Sequence, residues 1–256
     1  LELLNQTVNI PGSDIPLQGL EYFIESVDNI GNYGKWPTDY DGRPFHSVQV
    51  IGNQTLTLVA EDYGGNEESD YQLFSFPYEI PNALDIILGT MDQAGYPDFN
   101  KKYWRLFAYN GGYEEITDRS YNMSMGEAFF FIWNKDKINE PPLFDFGQGH
   151  PSTTTDRPFE ISLQPSEWKF FGIPYDFEVP MNQVYTENGE GIDEVGSVYE
   201  WNGGWSRLID NDNLNSWVGY IVKTSSANKI LIDGRGWDFW MDTEQKPILA
   251  DMPLQS

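Results

Sequence analysis

Short runs of hydrophobic residues, separated by turn residues, occur along most of this chain. Runs such as YWRLFAY (103–109), EAFFFIW (127–133) and WKFFGI (168–173) are rich in aromatic and β-branched residues, with Gly, Pro, Asn and Asp between the runs. This pattern predicts β-strands. The segment PNALDIILGTM (81–91) comes nearest to a helical pattern and predicts a turn or two of helix. We therefore expect an all-β protein whose sheets close into sandwiches or barrels.

Four sequence elements recur in the same order in two halves of the chain. YQLFSFPYEIP (71–81) matches WKFFGIPYDFEVP (168–180), and LFAYNGGYEEITD (106–118) matches VYEWNGGWSRLID (198–210). GEAFFFIWNKDKI (126–138) matches VGYIVKTSSANKI (218–230), and the lead-in strands are TLTLVA (55–60) and FEISLQ (159–164). Such an ordered repeat predicts duplicated structural units. We expect two homologous antiparallel β-sandwich modules at 53–149 and 150–234, followed by a tail at 235–256.

Residues 1–52 lack the repeat and have a different pattern. IPLQGLEYFIESVDNIGNYGKWP (15–37) followed by FHSVQV (45–50) resembles the last strands of Ig-like or fibronectin-type modules of bacterial secreted proteins. A sandwich of this type has about seven strands, and three are predicted here. The resemblance implies the C-terminal part of an Ig-like sandwich, with its other strands supplied by upstream chain or by a partner. We therefore expect this chain to be a segment of a longer protein with several modules.

Charge and composition exclude several classes of function. The chain has 256 residues, with 15 Lys and Arg against 40 Asp and Glu, which gives a formal net charge of −25. Because so acidic a surface repels phosphate backbones and anionic lipids, we expect no nucleic-acid partner. No apolar run approaches the roughly 18 residues of a membrane span, so we expect no membrane insertion. The absence of cysteine excludes disulfides and thiolate metal sites, and is compatible with export from a bacterium.

An aromatic pattern in the repeats supports a resemblance to a known group of proteins. The pattern is W-x-F-F-G-x-P-Y at 168–175, W-R-L-F-x-Y at 104–109 and G-x-A-F-x-F-I at 126–132. Together with the Ig-like stretch, it resembles the β-rich C-terminal regions of large secreted surface proteins of Bacteroidetes-like bacteria. The resemblance implies an extracellular or cell-surface location and a non-catalytic role in structure or adhesion. Its implied partners are other modules of the same longer chain, further copies in a polymer, or surface glycans.

One turn of the form aromatic–Asn-Gly-Gly–aromatic occurs in each repeat. The glycines supply positive φ angles for a tight hairpin, which places Tyr109 opposite Tyr113 and Trp201 opposite Trp205. In one interpretation these rings are cross-strand pairs that stabilise the hairpins. In another they are a stacking platform for sugars, and the chain is a carbohydrate-binding module; further candidates for that platform are Trp36, Trp133, Trp237 and Trp240. A third interpretation makes the chain an accessory region of a secreted glycoside hydrolase or peptidase.

The sequence shows no convincing catalytic constellation. His46 lies in a predicted strand and His150 in a predicted linker between the modules, and no G-x-S-x-G motif accompanies them. Several carboxylate pairs are interpreted as solvated surface residues: Glu114/Glu115, Asp176/Glu178 and Asp193/Glu194. The loop DNDNLNS (210–216) makes Asp210 and Asp212 candidate calcium ligands, although it lacks the Gly and distal Glu of an EF-hand. We therefore predict a non-enzymatic protein that requires no cofactor and has calcium as its candidate ion.

Overall fold

The chain is an all-β protein, and its structure is a computed structural model. The structure describes residues 10, 20–22, 24–36, 46–48, 52–57, 65, 67–138, 142–152 and 158–234. Every strand pairing in this part of the chain is antiparallel. The helices of the same part are α1 (Ala83–Gln93) and α2 (Ile192–Val195), with 3-10 turns at Glu68–Asp70 and Met181–Gln183. The predicted fold class is confirmed.

Two short strand pairs lie in the first 52 residues. Their strands are β1 (Leu20–Tyr22), β2 (Ile24–Val27), β3 (Tyr33–Trp36) and β4 (His46–Val48). β1 pairs with β4, and β2 pairs with β3. The Asp28 carboxylate shapes the β2–β3 turn by accepting hydrogen bonds from the amides of Ile30 and Asn32 at 3.0 and 2.8 Å. The assignment of these strands to an Ig-like module stays a prediction.

The two repeats contain the remaining strands. In the first module these are β5 (Gly52–Thr57), β6 (Gln72–Ser75), β7 (Tyr78–Glu79), β8 (Trp104–Tyr109), β9 (Tyr113–Glu115), β10 (Ala128–Trp133) and β11 (Leu143–Pro151). In the second module they are β12 (Phe159–Ser162), β13 (Trp168–Gly172), β14 (Val179–Pro180), β15 (Val184–Thr186), β16 (Gly196–Trp201), β17 (Trp205–Arg207), β18 (Asn213–Leu214), β19 (Gly219–Thr224) and β20 (Lys229–Ile232).

Each module contains one four-stranded and one three-stranded sheet, and the second module has in addition the two-stranded sheet β14-β18. The four-stranded sheets have the orders β6-β10-β8-β9 (sheet I) and β13-β19-β16-β17 (sheet II), and the three-stranded sheets are β5-β11-β7 and β12-β20-β15. The central pairings of sheets I and II are equivalent: Phe130 with Leu73 and Phe107, and Ile221 with Phe170 and Tyr199. Strand order and register thus agree with the repeat in the sequence. The exact module boundaries stay a prediction.

A separate hydrophobic core lies between the two sheets of each module. In the first module the ring of Phe131 in sheet I lies 5.6 Å from that of Phe144 in β11. In the second, Phe171 and Val222 of sheet II belong to the same core as Ile230 of β20. Both modules are therefore sandwiches, since apolar side chains from facing sheets fill the space between them.

The structure corrects two expectations about the first module. α1 has 11 residues, or about three turns, rather than a turn or two. It buries the residues that recur at helical spacing, Leu84, Ile87, Leu88 and Met91. His150 lies in β11 opposite Glu79, and not in a linker. A register shift in β11 between Asp145 and Gln148 interrupts the strand pattern, which explains why this stretch resembles a loop.

Candidate functional site

Sheets I and II pack against each other through the faces that point away from the two cores. The buried residues of this contact, the aromatic interface, are Leu73, Ala128, Phe130, Phe170 and Ile221. Half-buried aromatic residues pack on them: Tyr71, Phe107, Tyr109, Trp168, Tyr199 and Trp201. Every residue of β10 is buried. Its sequence AFFFIW has no polar alternation because one face of the strand lies in the core and the other in the interface.

Backbone hydrogen bonds join the two sheets at equivalent positions. The Ser75 amide donates to the Trp217 carbonyl at 3.0 Å, and the Gly172 amide donates to the Gly126 carbonyl at 3.0 Å. Because Ser75 and Gly172 have the same register in their sheets, the contact is close to two-fold symmetric. A Cβ atom on Gly172 would lie 2.1 Å from the Cβ of Ser75. Only glycine allows so close an approach.

The two Asn-Gly-Gly hairpins have the predicted cross-strand pairs. Tyr109 lies opposite Tyr113, with their ring centroids 5.4 Å apart. Trp201 lies opposite Trp205, with centroids 5.0 Å apart. One glycine of each turn has the predicted positive φ, at +74° and +71° for Gly111 and Gly203. The hairpin geometry predicted from the sequence is therefore confirmed.

In each hairpin, the aromatic ring of the first strand, Tyr109 or Trp201, packs on the sheet of the other module. Tyr109 of sheet I stacks on Phe170 of sheet II, with centroids 4.8 Å apart and planes inclined by 25°. Trp201 of sheet II meets Phe130 of sheet I edge to face at 5.3 Å. Its Nε1 donates to the Tyr71 carbonyl at 2.7 Å. These two rings therefore connect the modules and are not displayed on an open platform.

A cavity of about 290 Å³ opens at the rim of the aromatic interface. Its walls are five aromatic rings, Tyr71, Phe107, Tyr113, Phe130 and Trp201, and two charged side chains, Glu68 and Arg105. Tyr113 is 61% exposed and stands at the mouth. Trp205 is 39% exposed and does not line this cavity. The structure thus brings Tyr113 and Trp201 together at one site and leaves Tyr109 and Trp205 beside it.

Arg105 is fixed in the cavity wall by its neighbours. It donates to the Glu115 carboxylate from Nε at 2.8 Å and from Nη2 at 3.2 Å. Its guanidinium lies 4.6 Å from the centroid of the Phe107 ring. The hydrogen bond to Glu115 raises the pKa of Arg105, and the same contact, assisted by Lys101, lowers the pKa of Glu115. Glu115 is thus the acceptor of a charge pair and not a free surface carboxylate.

The predicted calcium ligands lie in an acidic region of the second module. A hydrogen bond with Asp193 raises the pKa of Asp210. Asp212 accepts a hydrogen bond from the Ile209 amide at 2.8 Å, and burial, with Asp212 nearby, raises the pKa of Glu200. Within the described ranges no group of three His, Asp or Glu side chains could hold a metal ion. Calcium at this loop stays a prediction.

The other tryptophans predicted to stack on sugars do not join the cavity. Trp133 is 3% exposed in the core of the first module, so its ring cannot stack on a ligand. Trp237 and Trp240 lie outside the described residues, as does the side chain of Trp36. Among the residues that are described, no helix is long and apolar enough to cross a membrane.

Five residues of the cavity are absent from the candidates predicted from the sequence: Glu68, Tyr71, Arg105, Phe107 and Phe130. The sequence carries a signal for two of them, because side chains two residues apart in a strand share a face, which groups Arg105 and Phe107 with Tyr109. In the structure this face of β8 points away from the core. Large aromatic rings on a face that would otherwise meet water indicate a covering partner.

Comparisons with protein-family models, curated proteins and solved structures gave no match for this chain. The function therefore rests on the site itself.

Proposed function

We propose that this chain is a non-catalytic structural or adhesion segment of a larger secreted or cell-surface bacterial protein. In this role the two modules form one rigid unit that transmits force between neighbouring modules. The main support for this proposal is the aromatic interface, in which the hairpin rings of each module pack on the sheet of the other. A spacer needs such a contact, because modules joined by a chain segment alone would move independently.

The chemistry of the interface supports a permanent contact. Phe130 and Phe170 are 5% and 2% exposed, and separation of the sheets would bring both rings into water. Each large aromatic ring buries about 150–250 Å² in such a setting. The Ser75 hydroxyl adds a hydrogen bond to the Val218 carbonyl at 2.8 Å, which separation would also break. Opening the interface therefore costs both apolar burial and hydrogen bonds.

The outer edges of sheets I and II support a role as a discrete unit. The outermost strands next to the hairpins, β9 and β17, have three residues each. Short edge strands with charged side chains resist pairing with other chains, and β9 and β17 carry Glu114, Glu115 and Arg207. The formal net charge of −25 further opposes non-specific association. Self-association would then need a specific surface.

Single-molecule pulling from the two ends of the chain tests this proposal. We expect the span 67–234 to unfold in one event, since the modules share the interface. Two separate events, each corresponding to about half of that span, would contradict the proposal. Turnover of glycans or peptides by the purified chain would also contradict it, because the proposed role is non-catalytic.

A further inference from the structure

The cavity at the rim of the aromatic interface has the composition of a ligand site. Its walls combine five aromatic rings with one carboxylate and one guanidinium. Sites for small organic ligands have this character, with apolar and aromatic walls and a few polar groups that fix orientation. Its volume of about 290 Å³ lies near the lower limit of the usual range for such sites, roughly 300–1,000 Å³. One or two small rings would fill it.

The polar groups of the cavity suit a ligand with hydroxyl groups. Arg105 can only donate hydrogen bonds, the Glu68 carboxylate accepts them, and the Tyr113 hydroxyl does both. Glu68 and Tyr113 line the same cavity, where burial raises the pKa of Tyr113 and the charges of Tyr109 and Glu68 add to this shift. Since a sugar hydroxyl both donates and accepts, it can use all three groups.

The charges of the site argue for a neutral ligand. The Arg105 guanidinium is paired with Glu115, and the formal net charge of the chain is −25, so an anionic ligand would be repelled. A cationic ligand would find the face of the Phe107 ring already occupied by the Arg105 guanidinium. A neutral polyhydroxylated ring meets neither difficulty.

We infer that this cavity binds a neutral hexopyranose unit of a glycan, with its ring against Tyr113 and Trp201 and its hydroxyls on Glu68 and Arg105. Trp201 is suited to form a fixed wall because its indole Nε1 is already bonded to the Tyr71 carbonyl. Tyr113 is suited to form the entrance because it is 61% exposed. The inference does not rest on the structural role proposed above, since a rigid spacer can exist without a ligand.

Titration of the whole chain with neutral sugars, followed by ligand-observed NMR, tests the inference. The probes are glucose, galactose, mannose, N-acetylglucosamine and cellobiose, with choline and glucuronate as cationic and anionic comparisons. We expect saturable binding of at least one neutral sugar with a dissociation constant on the order of 1 mM, as suits a single small ring. No saturable binding by any neutral probe at up to about 50 mM, or preferential binding of choline or glucuronate, would overturn the inference.

Variants locate the binding at this cavity. Tyr113→Ala and Glu68→Ala should each weaken it about tenfold or more. The Glu68 change leaves the 3-10 turn intact, since backbone atoms close it: the Asp70 amide donates to the Glu67 carbonyl at 3.1 Å, and the Tyr71 amide donates to the Glu68 carbonyl at 3.3 Å. Two matched controls should stay within about threefold of the parent: Tyr33→Ala, which removes a ring that is 60% exposed in β3, and Glu114→Ala, which removes an exposed acid next to Tyr113. Binding that survives both cavity changes would place the sugar elsewhere and overturn the inference.

Discussion

Replacement of Phe130 by alanine removes the ring at the centre of the aromatic interface. Phe130 is 5% exposed, and its ring lies 5.4 Å from that of Phe170 and 5.3 Å from that of Trp201. Both pairs are close to perpendicular, at 78° and 83°. Truncation of a buried Phe to Ala costs about 3–5 kcal/mol, and this figure includes lost ring contacts and the cavity left behind. We expect Phe130→Ala to lower the free energy of unfolding by about 4 kcal/mol.

Urea denaturation followed by tryptophan fluorescence and circular dichroism measures this change. Coincident transitions by the two probes would justify a two-state value for the parent chain. The control is Ile209→Ala, at a position that is 56% exposed, and it should change the free energy by less than about 0.5 kcal/mol. A loss below about 1.5 kcal/mol for Phe130→Ala would contradict the burial of this ring in the interface, because an exposed or loosely packed ring would give such a value.

Three further predictions concern the approach of the sheets, the hairpin turns and the charge pair. Gly172→Ala should lower the melting temperature strongly, because the new Cβ atom would lie 2.1 Å from the Cβ of Ser75. The second substitution Ser75→Gly should recover part of this loss, since it removes the clashing atom. If the double variant melts no higher than Gly172→Ala, the close contact between these two residues is contradicted. Gly111→Ala, at φ +74°, should lower the free energy of unfolding measured by urea denaturation by about 1–3 kcal/mol. Gly112→Ala should leave it nearly unchanged, because a Cβ atom there would meet no other atom within 4 Å. Equal effects of the two substitutions would contradict this turn geometry. Glu115→Gln should cost about 1 kcal/mol at pH 7. Because the folded state lowers the pKa of Glu115, the contribution of this carboxylate to the free energy of unfolding is complete above its unfolded pKa near 4.3. The contribution is lost as the pH falls through the folded pKa. If the variant is still less stable than the parent at pH 2, the destabilisation has another cause.

Much of the fold could be predicted because its strands are locally encoded. β8, β10, β13 and β19 coincide with aromatic and β-branched runs between turn residues. α1 was underestimated because Gly89 and Thr90 interrupt its helical pattern, while the packing of Ile87 and Met91 into the core decides the outcome. β9 and β17 have three residues each, too few for a periodic signal.

The candidate site was less predictable because it depends on contacts between distant parts of the chain. The hairpin pairs follow from turn chemistry, so the opposition of Tyr109 and Tyr113 is visible in the sequence. The packing of Trp201 against Phe130 depends on how sheet II docks on sheet I, and no local pattern specifies that arrangement. For the same reason, Glu68 cannot be recognised as a neighbour of the cavity before the two sheets are placed.

Nuclear Overhauser contacts between aromatic ring protons show whether the two modules share the aromatic interface. We expect cross-peaks from the ring of Phe130 in the first module to the rings of Phe170 and Trp201 in the second, whose centroids lie 5.4 and 5.3 Å away. Phe131 and Phe144, 5.6 Å apart within the first core, supply the internal reference. If that reference contact is observed and every cross-peak between the two modules is missing, the modules do not share an aromatic interface.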